Sequence, residues 1–474
     1  MKFDYRDHNT GGNIFETRNP ARPAEIVGAY AEVTNAVGVE AILSSARRAQ
    51  AEWADVPPVV RGDRLTAFLD EVIANVERIA EAITLEQGKP LGEARNETLK
   101  GCAEGKFMAG EAARQQLQTS AAARPRVRNL ILRRPRGTLL AICPWNFPAM
   151  TPLRKLCPAI AFGNALVIKP SQFTPAAAFI LTEIAARHFP AGLVQVMPCG
   201  GAFASELTAN GRFDGVSFTG SVTVGRKVAQ AAAVSLIPMQ LELGGKNGVI
   251  INDSQDLDSC LDQVFGAAFQ TGGQRCTSIS RVIVHRDLQE SVVQGLAARA
   301  QALTLGDGMD PATTLGPLCN GAHFDSVKAA TARAMDEGAI LITGGDSASV
   351  TGCEDGYFFQ PTLLDNARVS RTASQEEIFG PVLSVLPYDD FDEALSLLNE
   401  TEYGLTSSLF SDSHALIQRF LDESHNGMLH VNNGTVPDVN MPFGGMKHSG
   451  LGAYSVGASA SAFYTIEQSA YLAW

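Results

Sequence analysis

The run Phe269-Gln-Thr-Gly-Gly-Gln-Arg-Cys-Thr277 sets a single cysteine, Cys276, beside Arg275 and just after Gly272 and Gly273. A thiol on a glycine turn can be presented to a cavity, and an adjacent cation favours the thiolate, its nucleophilic form. A lone cysteine is also an ordinary buried residue, so this run by itself leaves both readings open. Glu242 lies in Leu241-Glu-Leu-Gly-Gly-Lys246, a carboxylate inside an apolar stretch. Burying it ionised is costly. Either Lys246 pairs with it, the simpler reading of this segment alone, or its pKa rises and it can serve as a base. In Pro144-Trp-Asn-Phe-Pro148, two prolines hold a loop around Asn146, whose amide could donate to a developing oxyanion or merely complete a turn. Phe218-Thr-Gly-Ser221 closes a strand and opens a helix, with Gly225 following. Free N–H groups at a helix start suit a pyrophosphate, although the run is not the G-x-G-x-x-G fingerprint. Lys169-Pro-Ser-Gln172 could meet ribose hydroxyls, and Glu376-Glu-Ile-Phe-Gly-Pro381 offers a carboxylate for a second ribose and an aromatic ring face.

These residues need elements to hold them. From about Thr34 to Arg114 the pattern is mostly helical, with Leu65, Phe68, Leu69, Val72, Ile73 and Val76 at spacings of three and four. Beyond Leu130, short apolar runs alternate with helical ones. Strands are expected at 138–142, 165–168, 193–197, 215–218 and 239–243, with helices at 175–187 and 222–233 between them. That rhythm indicates a parallel sheet with crossover helices. Gly244-Gly245 marks a break. A second alternating block has strands near 248–251, 281–285, 340–343 and 429–432, separated by helices near 257–270, 291–303 and 329–336. The tail 462–472 reads as extended, pairing with 129–132 or with another subunit.

With 474 residues, 45% of them hydrophobic and 19% charged, the chain has material for two or three domains. A net charge of −12 argues against nucleic acid as a partner. The basic stretch from Arg124 to Arg136 is expected to flank exposed strands, where charge discourages edge pairing. No apolar run reaches membrane-spanning length, and the N-terminal Met1 to His8 has no apolar stretch behind it to form a secretory signal. Eight scattered cysteines, with no CxxC pair and no zinc spacing, imply reduced thiols, no metal and a cytoplasmic location.

Taken together and in order, PWNFP at 144, KPSQ at 169, FTGS at 218, ELGGK at 242, GGQRC at 272, EEIFGPV at 376 and PFGGMKHSG at 442 resemble the aldehyde dehydrogenase superfamily. The matches run over the central and C-terminal two-thirds of the chain. The resemblance implies an α/β fold with a doubly wound, Rossmann-type cofactor domain (1–119 and 137–243). An α/β catalytic domain (244–445) and a small β oligomerisation extension (120–136 and 446–474) would complete it. It implies an NAD(P)-dependent oxidoreductase that converts an aldehyde to a carboxylic acid, assembled as a homodimer or homotetramer. Cys276 would be the nucleophile, Glu242 the general base, and Asn146 with the Cys276 N–H the oxyanion hole. Lys169 and Glu377 would hold the riboses and Ser221 the pyrophosphate. Ile142, Pro144, Trp145, Ser171, Gln172, Thr219, Gly220, Gly225, Leu243 and Phe379 would line the cofactor cleft.

Two departures bear on specificity. NAD-preferring members often carry glutamate where this chain has Gln172. A carboxylate there would repel a 2′-phosphate, so its absence leaves room for NADP, unless Gln172 bonds the same hydroxyls. Arg154 matches an arginine by which succinic semialdehyde dehydrogenases hold a substrate carboxylate, but their second arginine is Gln270 here. Arg275 offers another cation. The terminal GMKHSGLGAYSVGASASAFYT is similar to that of relatives acting on α-ketoglutaric semialdehyde, so a short anionic semialdehyde is expected, the alternative being uncharged aldehydes. CoA-acylating relatives typically lack the glutamate, so Glu242 argues for hydrolysis. The intact set argues against a non-catalytic structural protein, and no histidine sits in a motif that would suggest a papain-like hydrolase.

Overall fold

A computed structural model describes residues 2–6, 12–114 and 118–474; Met1 and residues 7 and 8 of the N-terminal reading lie outside them. Two sheets dominate. The first has six strands in the order Gly450–Leu451, Met239–Glu242, Gly215–Thr219, Thr138–Ile142, Ala165–Lys169 and Val194–Val196. All its pairings are parallel except that of Gly450–Leu451, which runs antiparallel to Met239–Glu242. Ala165–Lys169 is buried at four consecutive positions, because helices cover both faces of a parallel sheet and leave no side for polar residues. The chain starts this sheet at its centre and winds outward twice, so the order reverses between Thr138–Ile142 and Gly215–Thr219. In such sheets the crevice beyond the carboxyl ends at the reversal is where ligands bind.

The chain crosses to the second sheet at Gly244-Gly245, as the paired glycines suggest. Its seven strands lie in the order Ile340–Thr343, Thr362–Asp365, Val382–Tyr388, Ile279–His285, Asn247–Ile251, Thr406–Phe410 and Met428–Val431. Ile340–Thr343 enters antiparallel, as a largely exposed edge. Three strands, Thr362–Asp365, Val382–Tyr388 and Thr406–Phe410, escape the sequence reading. One carries Pro387 and another opens Thr-Ser-Ser, yet both are buried nearly throughout, with Ser384, Ser407 and Ser408 inside.

The tail is extended where expected, with Gln468 opposite Leu132 and Tyr471 opposite Asn129. The partner is this chain's own strand Val127–Pro135, which also pairs with Gln118–Ser120. The expected range corrects at its start, since Ser461–Tyr464 is a helical turn and the strand is Thr465–Ala473. Residues 450–451, expected in the extension, instead edge the first sheet, because backbone groups of Leu241 and Glu242 are open there for pairing. A three-stranded N-terminal sheet, Phe3–Tyr5, Arg22–Ala31 and Ile14–Asn19, has no counterpart in the sequence reading. Helices Ala36–Ala54, Pro58–Ala74, Val76–Gln87 and Leu91–Ala113 fill the stretch read as helical. No helix of the described residues is long and apolar enough to cross a membrane.

Candidate active site

A cavity of about 540 Å³ opens between the carboxyl ends of the first sheet's strands and the loops that enter the second sheet's strands. It is lined by Asn146, Glu242 and Cys276 together with Pro144, Trp145, Arg154, Thr219, Gly220, Ser221, Leu243, Gln270, Arg275, Glu377 and Phe379. Segments separated by more than a hundred residues therefore converge.

Cys276 stands on a loop held under backbone constraint. After helix Leu257–Phe269, Thr271, Gly272 and Gly273 adopt φ of 57°, 62° and 68° in succession. Thr271 pays for that conformation through Glu93, whose Oε2 accepts from its N–H at 2.8 Å and its hydroxyl at 3.0 Å. Gly273 is obligatory, since a Cβ there would lie 2.1 Å from the Gly380 carbonyl oxygen. Beyond it, Asn247 Nδ2 donates to the carbonyls of Cys276 and Ser278 at 2.7 and 2.8 Å, and the Thr435 hydroxyl to that of Thr277 at 2.8 Å. The thiol is half-buried, and burial pushes its pKa up to about 11 against the pull of Arg154 and Arg275. Arg275 favours the thiolate as expected, but desolvation outweighs it; the guanidinium also donates to Gln270 Oε1 at 2.6 Å.

Glu242 ends a strand with its carboxyl buried. The expected ion pair with Lys246 does not form. The glycine pair carries Lys246 into the second sheet, where burial and Arg281 hold its pKa down to about 7, with Glu377 and Glu376 opposing. The cations that Glu242 senses are Lys155 and Arg154, both from helix Met150–Ala161. Burial still prevails and raises the Glu242 pKa to about 8. Lys155 is itself lowered to about 8 by burial, and its Nζ donates to Ser217 Oγ at 2.7 Å. Glu242 Oε2 is buried and has no hydrogen-bond partner among the described residues. A carboxyl oxygen left open in this way is poised to take a proton from a water or a substrate.

Asn146 is fixed from both ends. Its Nδ2 donates to the Gln274 carbonyl at 2.9 Å, tying the Pro144–Pro148 loop to the cysteine loop. Its carbonyl accepts from Lys89 Nζ at 2.6 Å. Lys89 also pairs with Glu97 at 2.7 Å, both side chains being 1% exposed, and lies 4.3 Å from the Phe147 ring centre. Glu97 Oε1 accepts from the N–H groups of Ala149 and Met150 at 2.9 and 3.1 Å. With both charges paired and their remaining valences used, this buried salt bridge locks the loop.

The cofactor side follows the sheet edge. Ser221 caps helix Val222–Val234, its hydroxyl accepting from Val224 N–H, and Gly225 packs against Leu243 one turn on. Glu377 is pressed against the glycine turn. Its Oε1 accepts from Gly245 N–H at 2.9 Å, a Cβ on Gly244 would lie 2.1 Å from Oε2, and burial raises its pKa to about 7. Trp145 and Phe379 meet edge to face at 5.6 Å. Ile142 and Lys169 are register partners at the ends of adjacent strands, so Lys169, Ser171 and Gln172 lie along the same edge although outside the cavity lining. Gln172 is exposed. A helix start with open N–H groups, an acidic acceptor on a glycine turn and a lysine at the strand end fit a dinucleotide.

The far end of the cavity is charged in a way the sequence did not reveal. Helix Leu91–Ala113 presents Glu93, Glu97, Lys100 and Glu104 at spacings of four, three and four, hence on one face. Glu93 holds Thr271, Glu97 holds Lys89, and Glu104 grips Arg154 with two hydrogen bonds of 2.9 and 2.7 Å. Arg154 does line the cavity as expected, but with its charge already matched and its guanidinium 4.2 Å from the Phe443 ring centre. Among the described residues, no group of three or more His, Cys, Asp or Glu could hold a metal.

A family model described as the aldehyde dehydrogenase family matches residues 5–469, and the chain belongs to that family: it is an oxidoreductase acting on aldehydes. It is 33% identical over 457 residues to the α-ketoglutaric semialdehyde dehydrogenase of Bacillus subtilis, covering 96% of this chain and 93% of that one. It is 35% identical over 455 residues to a betaine aldehyde dehydrogenase of Cereibacter sphaeroides, covering 96% and 92%. Among solved structures, betaine aldehyde dehydrogenase from Staphylococcus aureus in complex with NAD+ superposes with a TM-score of 0.93 at 29% identity, over 97% of this chain and 92% of that one. A family fold crystallised with NAD+ supports NAD(P) as the redox partner here.

Proposed function

We propose that the chain oxidises a short aldehyde carrying a remote anionic group to the carboxylic acid, through a covalent thioester on Cys276 that Glu242 hydrolyses. The observation that carries the reading is the convergence on one cavity of a half-buried thiol, a buried carboxyl with an open oxygen and a fixed amide. Cys276 Sγ attacks the aldehyde carbon as the thiolate, its proton having passed to solvent. The carbonyl oxygen becomes an oxyanion, which the Asn146 amide, with the Cys276 N–H, stabilises. A nicotinamide dinucleotide, when bound, would supply the hydride acceptor for oxidation to the acid level. Lys169 and Glu377 would hold its riboses and Ser221 its pyrophosphate. Glu242 then takes a proton from water, the oxygen attacks the thioester carbon, the C–S bond breaks, and thiol and acid are regenerated. Turnover independent of CoA is expected of this ending, and a requirement for CoA would reverse it.

The substrate follows from the charge at the far end, where Arg154 and Arg275 line the cavity. The semialdehyde relative supports an anion of the succinic or α-ketoglutaric semialdehyde kind. A second reading, uncharged aldehydes, draws on the Glu104 carboxylate that already neutralises Arg154. Nicotinamide reduction with succinic and α-ketoglutaric semialdehydes, propanal, benzaldehyde and betaine aldehyde decides between them, with Cys276→Ala as control. Preference for the anions, abolished in the variant, is expected; equal or better turnover of neutral aldehydes would reverse the substrate reading, and turnover in the variant would reverse the mechanism.

NADP is accepted at least as well as NAD in this reading, because exposed Gln172 carries no charge to repel a 2′-phosphate. A hundredfold preference for NAD would rule that out. The division into a cofactor unit (1–119 and 137–243), a catalytic unit (244–445) and an extension is part of the same reading. Tyr471, Leu472 and Trp474 leave apolar surface exposed on the extension, which suits a homodimer or homotetramer, and sedimentation at working concentration tests it.

A further inference from the structure

Three cations, Lys100, Arg154 and Arg275, line the cavity, but they are not equally available. Arg154 is clamped by both oxygens of Glu104. Arg275 is bonded to Gln270 Oε1 at 2.6 Å and reaches Thr277 Oγ1 at 3.4 Å. Lys100, which lines the same cavity, makes no hydrogen bond or ion pair with any described residue. It is half-buried, one helical turn from the Lys89–Glu97 pair and one from Glu104. A partly desolvated ammonium without a partner is an unfavourable arrangement, and burial lowers its pKa as that cost requires. Its charged neighbours are Glu104, Arg154, Arg275 and Asp438. Glu104 is already spent on Arg154, and Asp438 is exposed and forms no ion pair with it. The Lys100 ammonium therefore lines the cavity with its charge unmatched.

We propose that Lys100 is the specificity-determining residue of the tunnel, its ammonium receiving the remote carboxylate of a short aldehyde acid whose carbonyl carbon reaches Cys276. This rests on the reading of the substrate as an anionic aldehyde and assigns the recognition to a residue other than Arg154. Arg154 instead shapes the wall, its guanidinium stacked on Phe443. An aldehyde bearing a quaternary ammonium is disfavoured by the same charge. The aromatic faces that could cage such a cation are partly taken, Phe443 by Arg154 and Phe147 by Lys89.

The test compares the parent enzyme with Lys100→Met and Lys100→Arg, measuring kcat and KM for succinic semialdehyde and for butanal with saturating cofactor. Expected is a fall of roughly ten- to hundredfold in the ratio of kcat/KM for the anion over butanal in Lys100→Met, the size of losing one charged hydrogen bond. The loss should sit in KM, and Lys100→Arg should restore most of it. A general structural role would move both substrates together and leave the ratio intact, which overturns the proposal. If the parent prefers the anion and Lys100→Met keeps that preference, Lys100 is wrong and the anionic-substrate reading stands. If the parent itself shows no preference, that reading fails and this proposal fails with it.

Discussion

Replacing Glu242 by glutamine should separate the two halves of the reaction. The amide keeps the shape of the carboxyl but cannot take a proton, and loss of a positioned general base costs about 10²–10⁴ in rate. If the base acts on the thioester as proposed, Glu242→Gln should still give a rapid first turnover of reduced nicotinamide, near one per Cys276, and then stall. The pH dependence follows from the raised pKa. Burial keeps the carboxyl protonated until about pH 8, so at pH 7 only about one tenth of the sites carry the ionised base. Since Lys155 titrates in the same range, this midpoint belongs to the pair. Steady-state turnover in the parent should rise about tenfold from pH 7 to its plateau above 8, and the variant should lose that rise. Stability runs the other way. The unfolded chain ionises this carboxyl in the ordinary range and the folded one only near 8, so raising the pH between those values favours unfolding. Glu242→Gln should therefore gain more in melting temperature over the parent at pH 8 than at pH 5. Stopped-flow and steady-state nicotinamide absorbance across pH 6 to 9 measure the kinetic part. A variant turning over within tenfold of the parent, or keeping the pH rise, would refute the assignment.

Lys89→Met leaves Glu97 buried without its counter-charge and should cost about 3–5 kcal/mol in denaturant unfolding. The double variant Lys89→Met/Glu97→Gln should recover part of it, and no loss in the single variant would contradict the structural role of the pair. Gly273→Ala puts a side chain where φ is 68° and the Gly380 carbonyl oxygen is 2.1 Å away, so the cysteine loop must shift. It should lose about 1–3 kcal/mol and most activity, and a fully active, equally stable variant would count against the constraint. Alkylation of Cys276 by iodoacetamide in the cofactor-free protein should accelerate with pH toward about 11, where burial has pushed the thiol. Peptide mass mapping locates the adduct, and a rate already saturated at pH 7 would show a thiolate at rest.

The loops that carry Asn146, Cys276 and Glu377 were legible in the sequence because prolines and glycines punctuate them, and such residues announce backbone that must turn or approach closely. The parallel cofactor-side sheet was legible for a different reason: strands buried on both faces read as unbroken apolar runs. The second sheet was less so. Its serines at 384, 407 and 408 are buried without spoiling the strand, and nothing local says that a polar run will be taken inside. The helical stretch from 34 to 114 was recognised but not its function. Glu93, Glu97, Lys100 and Glu104 at helical spacing look like a solvated charged face, whereas the fold turns that face inward over the cysteine and asparagine loops.

Glu242 shows most directly why such pairings resist local reading. Four residues away stands a lysine, the obvious counter-charge in one dimension. The turn at Gly244-Gly245 ends one sheet and starts the other, so the intervening backbone reverses its surroundings and Lys246 is carried to Arg281 and Glu377. The charge that Glu242 meets instead is Lys155, from a helix almost ninety residues earlier, and that lysine is itself held by Ser217 and lowered by burial. A true contact pair with Lys246 would have stabilised the carboxylate and fixed it as a weak base. A desolvated, half-compensated carboxyl near 8 is a stronger one and still ionises within working pH. The same separation that hid the partner from the sequence is what leaves the carboxyl half-compensated, as its proposed role as a base requires.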